Sequence, residues 1–315
     1  MQADPDPLEL LATSIVERAT GGRVSSVTRI LRGVMAFKFQ VRTERHGSYV
    51  ARFYPPGREG VADYEPQVLL RAHEAGLRVP RVVAHAGAGP ACDAPYVLYE
   101  MLEGAPLDEC LTRFSENELE HLASEVHAQL DILASLRIAG FGGLVDGTAG
   151  QFASWTQLFQ EAFDDFHRLD GASSAPALDE AVKALERLLK LAKPPAESRL
   201  AWGDLSPDNI IVGSGHELVG LIDFEGVLGA EPILSLGYFE ARYPGSRFCA
   251  ALKRAFSAGS DDSADRVAIY TVLRALRIWP YLSGPLPTGR RRMPLESFLP
   301  GLPAAIERVC SAQSI

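Results

Sequence analysis

One stretch, residues 199–225, RLAWGDLSPDNIIVGSGHELVGLIDFE, constrains this chain more than any other. Ile210, Ile211 and Val212 form a short apolar run and residues 218–224 another. The Gly213-Ser214-Gly215 segment between them predicts a turn, so the two runs read as a β-hairpin. Asp204 and Asn209 precede the hairpin in a loop containing Pro207, and Asp223 stands at the end of its second strand. Pairing the strands brings Asp223 back beside that loop, so three oxygen-bearing side chains meet at one end of a hairpin.

That set suits phosphoryl transfer. One carboxylate accepts a hydroxyl proton, while an amide oxygen and a second carboxylate hold Mg²⁺ on nucleotide phosphates. Magnesium takes hard oxygen ligands and keeps some water, so two protein ligands plus phosphate oxygens suffice. Taken singly, each residue has a plainer reading: Asp208 and Asn209 build a turn, and Asp223 ends a strand. The chemistry rests on the combination, D-x4-N followed by a hairpin ending in IDFE.

The combination resembles the aminoglycoside phosphotransferase family, small-molecule kinases related to the protein kinases. Its catalytic loop reads H-G-D-x-x-x-x-N and its metal motif D-F/W-E/D; here stand Trp202-Gly203-Asp204 and Asp223-Phe224-Glu225. The resemblance implies an α+β, protein-kinase-like, two-lobed fold. An N-terminal antiparallel sheet lobe would bind nucleotide over residues 1–102, and a larger helical lobe would carry catalysis and acceptor binding over 103–315. It further implies Asp204 as catalytic base, Asn209 and Asp223 as metal ligands, and ATP with Mg²⁺ as cofactors. Trp202 replaces the histidine that supports the loop. After Glu225 the family reads G-D-P-x-x-D, its last Asp anchoring the catalytic loop. Here Ser235 takes that place, and Glu231 is a candidate for partial compensation.

The region before the motif fits the same plan. Residues 8–19 predict a helix stopped by Gly21-Gly22, and three strand-like runs follow at 24–31, 36–42 and 48–53, with His46-Gly47 as a hairpin turn. Phe37, Phe39 and Val41 alternate with Lys38, Gln40 and Arg42, as in a half-buried strand. Gly33, between the first two strands, occupies the position of a loop that covers ATP phosphates with backbone N–H groups, although a plain hairpin turn explains it equally. Arg52 stands where the resemblance implies a nucleotide-contacting lysine on the third strand. Its permanently charged fork grips phosphate oxygens, and an exposed strand arginine is the alternative. A helix over 63–76 has Asp63 as N-cap and Pro66 in its first turn. Glu65 in that turn is implied to hold Arg52, with a helix-dipole glutamate as the alternative. The strand 95–101 leads into a hinge where the backbones of Glu100 and Leu102 are implied to meet adenine.

From about residue 105 the period becomes helical. Leu119, Leu122, Val126, Leu130 and Leu133 mark one face, with His127 on that helix read as a packing residue. Phe141-Gly142-Gly143 through Gly150 reads as a glycine-rich loop. Helices are predicted around 155–166, 178–189, 234–242, 247–256, 265–281 and 295–310, with a Pro/Gly connection at 284–289. A β-rich part followed by a helical part is an α+β pattern.

Composition narrows the partners. The 315 residues are 47% apolar with a net charge of −9, which disfavours nonspecific nucleic-acid binding and leaves cationic small molecules open. No apolar run reaches the length of a membrane span, and the acidic, proline-punctuated start is unlike a secretory signal. Cys92, Cys110, Cys249 and Cys310 are too widely spaced to suggest a disulfide framework, and a cytoplasmic setting is expected. Arg290, Arg291 and Arg292 read as a solvated loop. The expected acceptor is a small molecule bearing a hydroxyl, an antibiotic such as an aminoglycoside by the resemblance, or a metabolite such as an amino alcohol. A cationic antibiotic would need further carboxylates, and Asp164, Asp165, Glu231, Glu240, Asp261 and Asp262 are the candidates. A non-catalytic nucleotide-binding module is the reading from a different class.

Overall fold

The computed structural model describes residues 6–33, 35–87, 89, 94–257, 263–283 and 294–312. Cys92, Asp261, Asp262, the 284–289 connection and Arg290 to Arg292 lie outside the described residues. Helix α1 (Pro7–Thr20) starts on Asp6, whose carboxylate accepts the Leu8 N–H at 3.0 Å. It stops at Gly21, which adopts φ 68° and donates its N–H to the Glu17 carbonyl. Strands β1 (Val24–Ile30), β2 (Phe37–Thr43) and β3 (Ser48–Phe53) follow, then α2 (Glu59–Glu74), β4 (Val82–Ala86) and β5 (Tyr96–Glu100). The five strands form one antiparallel sheet in the order β1-β2-β3-β5-β4. Phe39, Val41, Ala51 and Phe53 pack with Ala12, Ile15 and Val16 of α1. The register sets Lys38 opposite Arg52 across β2 and β3, so these two cations share a sheet face.

Helix α2 begins earlier than its sequence suggests. Arg58, not Asp63, is the N-cap, so Pro66 lies inside the helix and Glu65 in its second turn. A proline there removes one intrahelical hydrogen bond. Burial offsets the loss, because Val68, Leu69 and Ala72 enter the same core as the hairpin at residues 210–221.

The helical part carries β6 (Ala105–Pro106), α3 (Leu107–Cys110), α4 (Glu116–Ser135), β7 (Phe141–Leu144), β8 (Gly150–Phe152), α5 (Trp155–Arg168), α6 (Gly171–Ser174) and α7 (Pro176–Leu191). It continues with β9 (Arg199–Trp202), β10 (Ile210–Val212), β11 (Leu218–Leu221), β12 (Val227–Ala230), α8 (Leu234–Arg242), α9 (Arg247–Ser257), α10 (Ser263–Ser283), α11 (Leu295–Phe298) and α12 (Leu302–Ser311). Capping boxes start α4 at Ser115/Glu118 and α5 at Ser154/Gln157. The β10–β11 hairpin adds β6 at one edge, while β8-β7-β12-β9 form a second small sheet.

Three expectations change here. The glycine-rich segment after Phe141 is the β7–β8 hairpin, because Gly142 and Gly143 pair with Gly229 and Leu228 of β12, a long-range partnership invisible to local pattern. The second hairpin strand ends at Leu221, so Asp223 lies just beyond it. The predicted 295–310 helix breaks into α11 and α12. Pro300 has no N–H to continue the ladder, and the Gly301 N–H donates instead to the Ala241 carbonyl at 3.0 Å.

Phe159, Leu185, Leu273 and Leu302 belong to one core among the helices, and no helix among the described residues is long and apolar enough to cross a membrane.

Candidate active site

The segments that carry Asp204 and Asp223 are held together backbone to backbone. Gly203 donates its N–H to the Gly226 carbonyl at 3.0 Å, and a Cβ at Gly203 would meet that same oxygen at 2.6 Å. Only glycine permits this approach. Asn209 Nδ2 donates to the Asp204 carbonyl at 3.0 Å and lies 3.4 Å from Asp204 Oδ2. The Asn209 amide nitrogen is thereby committed to Asp204, and its oxygen is the atom available to a ligand.

Asp223 adopts a left-handed backbone, φ 69° and ψ 68°, which an aspartate tolerates at a cost of about 1 kcal/mol or more. Its neighbours fix it there. Trp202 Nε1 donates to the Asp223 carbonyl at 3.2 Å, and the buried indole stacks on Phe224 with ring centroids 5.2 Å apart and planes 10° from parallel. The Asp223 carboxylate receives Arg52 Nη1 at 2.9 Å on Oδ1 and Lys38 Nζ at 2.7 Å on Oδ2. Burial pushes this carboxyl up, but Arg52 and Lys38 outweigh that and hold it well below the usual carboxylate range.

Arg52 is fully buried, which excludes the exposed-strand reading. Its guanidinium also reaches Glu65 Oε1 at 3.0 Å and Glu225 Oε2 at 2.5 Å. Arg58 Nη2 donates to the same Glu225 oxygen at 2.7 Å, and the Tyr54 hydroxyl donates to Glu65 Oε2. Burial raises the Glu65 pKa, opposed by Arg52. Three cations and three carboxylates therefore balance on this face.

Gly33 lies over this group with φ 87°, and a Cβ there would stand 3.2 Å from Lys38 Nζ. The adjacent Arg32 crosses to α3, reaching Asp108 at 2.9 Å and Glu109 at 3.0 Å. Glu100 and Leu102 stand apart from these charges. The Glu100 N–H is taken by the Arg81 carbonyl at 3.0 Å and its side chain pairs with Arg81, while Leu102 falls beyond the β3–β5 ladder.

On the other side of Asp204, Oδ1 faces Arg274 Nη2 at 3.4 Å and Arg242 Nη1 at 3.8 Å. Burial raises the Asp204 pKa and Arg274 opposes the rise. Two acidic groups in one cleft are thus driven in opposite directions, Asp223 kept ionised and Asp204 made more basic.

Both departures from the family motif have a local account. The buried Ser235 hydroxyl accepts the Trp202 N–H at 2.9 Å, anchoring the end of β9 directly. Glu231 does not compensate: its carboxylate accepts from the Tyr270 hydroxyl at 2.5 Å and from Arg266 at 3.3 Å. His127 packs edge-on against Phe256, away from these groups.

Sequence reasoning missed Lys38, Arg58, Tyr54, Arg242 and Arg274. Lys38 had a signal, since strand alternation and the β2–β3 register put it on the Arg52 face. The arginines of α8 and α10 had none.

The family model of the phosphotransferase enzyme family (APH) matches residues 26–277. The chain belongs to this family. No curated protein matches it in sequence. Among solved structures it is similar to a thermostable mutant of aminoglycoside phosphotransferase APH(4)-Ia in ternary complex with ADP and hygromycin B, with TM-score 0.70 and 17% identity over 94% of this chain and 96% of that one. It is also similar to the GDP complex of wild-type aminoglycoside 2'-phosphotransferase-IIIa, with TM-score 0.66 and 16% identity over 96% and 97%. A protein named as a fructosamine-3-kinase from Haemophilus somnus 129PT gives TM-score 0.62 and 11% identity over 96% and 99%. As in these APH relatives, the fold is kinase-like, a sheet lobe followed by a larger helical lobe, and the chain is a phosphotransferase.

Proposed function

We propose that this phosphotransferase moves the γ-phosphoryl group of ATP, with Mg²⁺, to a hydroxyl of a small molecule bound between the lobes, which divide near residue 102. The observation that carries the reading is the pairing of two carboxylates in unlike surroundings: Asp204, held by Asn209, and a nearby Asp223 kept ionised by two cations. Asp204 accepts the hydroxyl proton as the oxygen bonds to the γ-phosphorus and the bond to the β-phosphate oxygen breaks. The donor set fits Mg²⁺, with the free amide oxygen of Asn209 and the Asp223 carboxylate as hard ligands, and the ion would neutralise charge on the phosphates.

Lys38 is the cation placed to meet those phosphates. Its side chain is 14% exposed, whereas Arg52 is 1% exposed and contacts three carboxylates. Arg52 and Glu65 then act as the scaffold of Asp223. The backbone at Gly33 covers the phosphates, and the hinge backbone at Glu100 and Leu102 meets the base.

For the acceptor, the charges support a hydroxylated metabolite ahead of a polycationic aminoglycoside. Of the acids a cationic ligand would use, those among the described residues are engaged: Glu240 pairs with Lys253, Asp165 with Arg168, Asp164 with Gln160, and Glu231 with Tyr270 and Arg266. An aminoglycoside acceptor, with antibiotic resistance as its consequence, is the second reading, favoured by the hygromycin B complex of one neighbour.

ADP release from Mg²⁺–ATP, followed across hydroxylated metabolites and antibiotics with Asp204→Ala as blank, tests the reading. Stimulation by one compound that disappears in the variant is expected. Unchanged turnover in Asp204→Ala refutes the assignment of the base.

A further inference from the structure

We propose that the acceptor carries an anionic group, a carboxylate or a phosphate ester, seated on Arg242 and Arg274 beside Asp204. The proposal rests on the phosphotransferase reading and names the acceptor class within it.

The helical face of the cleft holds more positive charge than it satisfies. Arg242 at the end of α8 and Arg274 on α10 both approach the same Asp204 oxygen, at 3.8 and 3.4 Å, longer than a close charge-assisted hydrogen bond. One turn further along α10, Arg277 reaches Glu161 only at 3.9 Å. Within 4 Å, three guanidinium groups thus share two carboxylates, none in tight contact, and the Asp208 carboxylate acts on the Tyr243 ring beside Arg242 without pairing with any of them.

Buried donors there lack partners. The Tyr238 hydroxyl, Arg274 Nε and Arg277 Nη1 are shielded from solvent and make no hydrogen bond. Tyr238 is 3% exposed, its ring packs beside Gly203 next to Asp204, and the Arg274 guanidinium lies 5.0 Å above it. An unmade hydrogen bond at a buried donor costs about 1–3 kcal/mol, and an anion's lone pairs remove that cost. Arg242 is sandwiched near the rings of Tyr243 and Phe298, at 5.1 and 5.3 Å, so its fork is preorganised. Two planar guanidinium forks are the geometry that carboxylates and phosphates fit.

Calorimetric titration of the full chain with Mg²⁺ and a non-hydrolysable ATP analogue tests this, because the analogue fills the γ-phosphate position. Inorganic phosphate and malonate are the anionic probes, and spermidine is the cationic one. Phosphate or malonate is expected to bind, with affinity falling at least about tenfold in Arg242→Gln and in Arg274→Gln. Arg274→Lys should retain part of the affinity, and nucleotide affinity should stay within about twofold throughout. Preference for phosphate points to a phosphate-ester acceptor, and preference for malonate to a carboxylate. Binding of spermidine alone, binding of neither anion, or a parallel loss of nucleotide affinity in the variants overturns the proposal. If the wild type binds no nucleotide analogue, the phosphotransferase reading fails instead, and the same anion titrations on the nucleotide-free protein still decide whether the subsite exists.

Discussion

On the sheet side of the cleft, Lys38, Arg52 and Arg58 meet Glu65, Asp223 and Glu225 at 2.5 to 3.0 Å. On the helical side, Arg242, Arg274 and Arg277 meet Asp204 and Glu161 at 3.4 to 3.9 Å. The first group is closed, with each charge opposed by a near neighbour and Arg52 wholly out of solvent. The second is open, with longer contacts and three guanidinium groups on two carboxylates, although both groups hold buried donors without a hydrogen bond. A closed network suits a ligand that never changes. An open one suits a ligand that completes it.

The comparison can be broken in several ways. Asp204→Asn, on the open side, should lower kcat/KM by about 10³-fold, within the range for losing a general base, while leaving nucleotide affinity intact. Steady-state kinetics and nucleotide titration read the two effects separately. Arg52→Met leaves buried Glu65 without a cation and three carboxylates sharing Lys38 and Arg58, and urea unfolding should show a loss of about 3–5 kcal/mol. Arg274→Met on the open side should cost about 1 kcal/mol or less by the same measurement, and equal losses would erase the distinction.

Ser235→Ala sharpens it from beneath. It strands the buried Trp202 N–H, so stability should drop by about 1–3 kcal/mol. The KM values for nucleotide and acceptor should then move together, because Trp202 also holds Asp223. Lys38→Ala should raise the KM for ATP about tenfold with little change in the urea midpoint, since its ammonium contacts Asp223 alone and is less buried than Arg52. An unchanged KM would return the phosphate contact to Arg52.

Much of the molecule was legible before its structure was known. Alternation in β2, the Gly21 stop of α1, the apolar face of α4 and the hairpin at residues 210–221 are local signals, and the fold followed them. Errors fell where distant contacts outweighed local preference. Pro66 sits inside α2 because the helix packs into the hairpin core, and Gly142 and Gly143 became a strand because β12 pairs with them. The match of Trp202 to Ser235 was unreadable for the same reason. The two look like independent losses in the motif, yet in space one accepts the other's N–H.

By itself, the sequence determined the chemistry that can occur here: two carboxylates and an amide spaced so that a hairpin gathers them. Only the tertiary structure decided their electrical states and their company. Lys38 reaches Asp223 across 185 residues, and Arg274 reaches Asp204 across 70. Periodicity and turn residues report on neighbours a few positions away. Burial and charge pairing are sums over everything nearby in space, and a chain acquires them only when it packs.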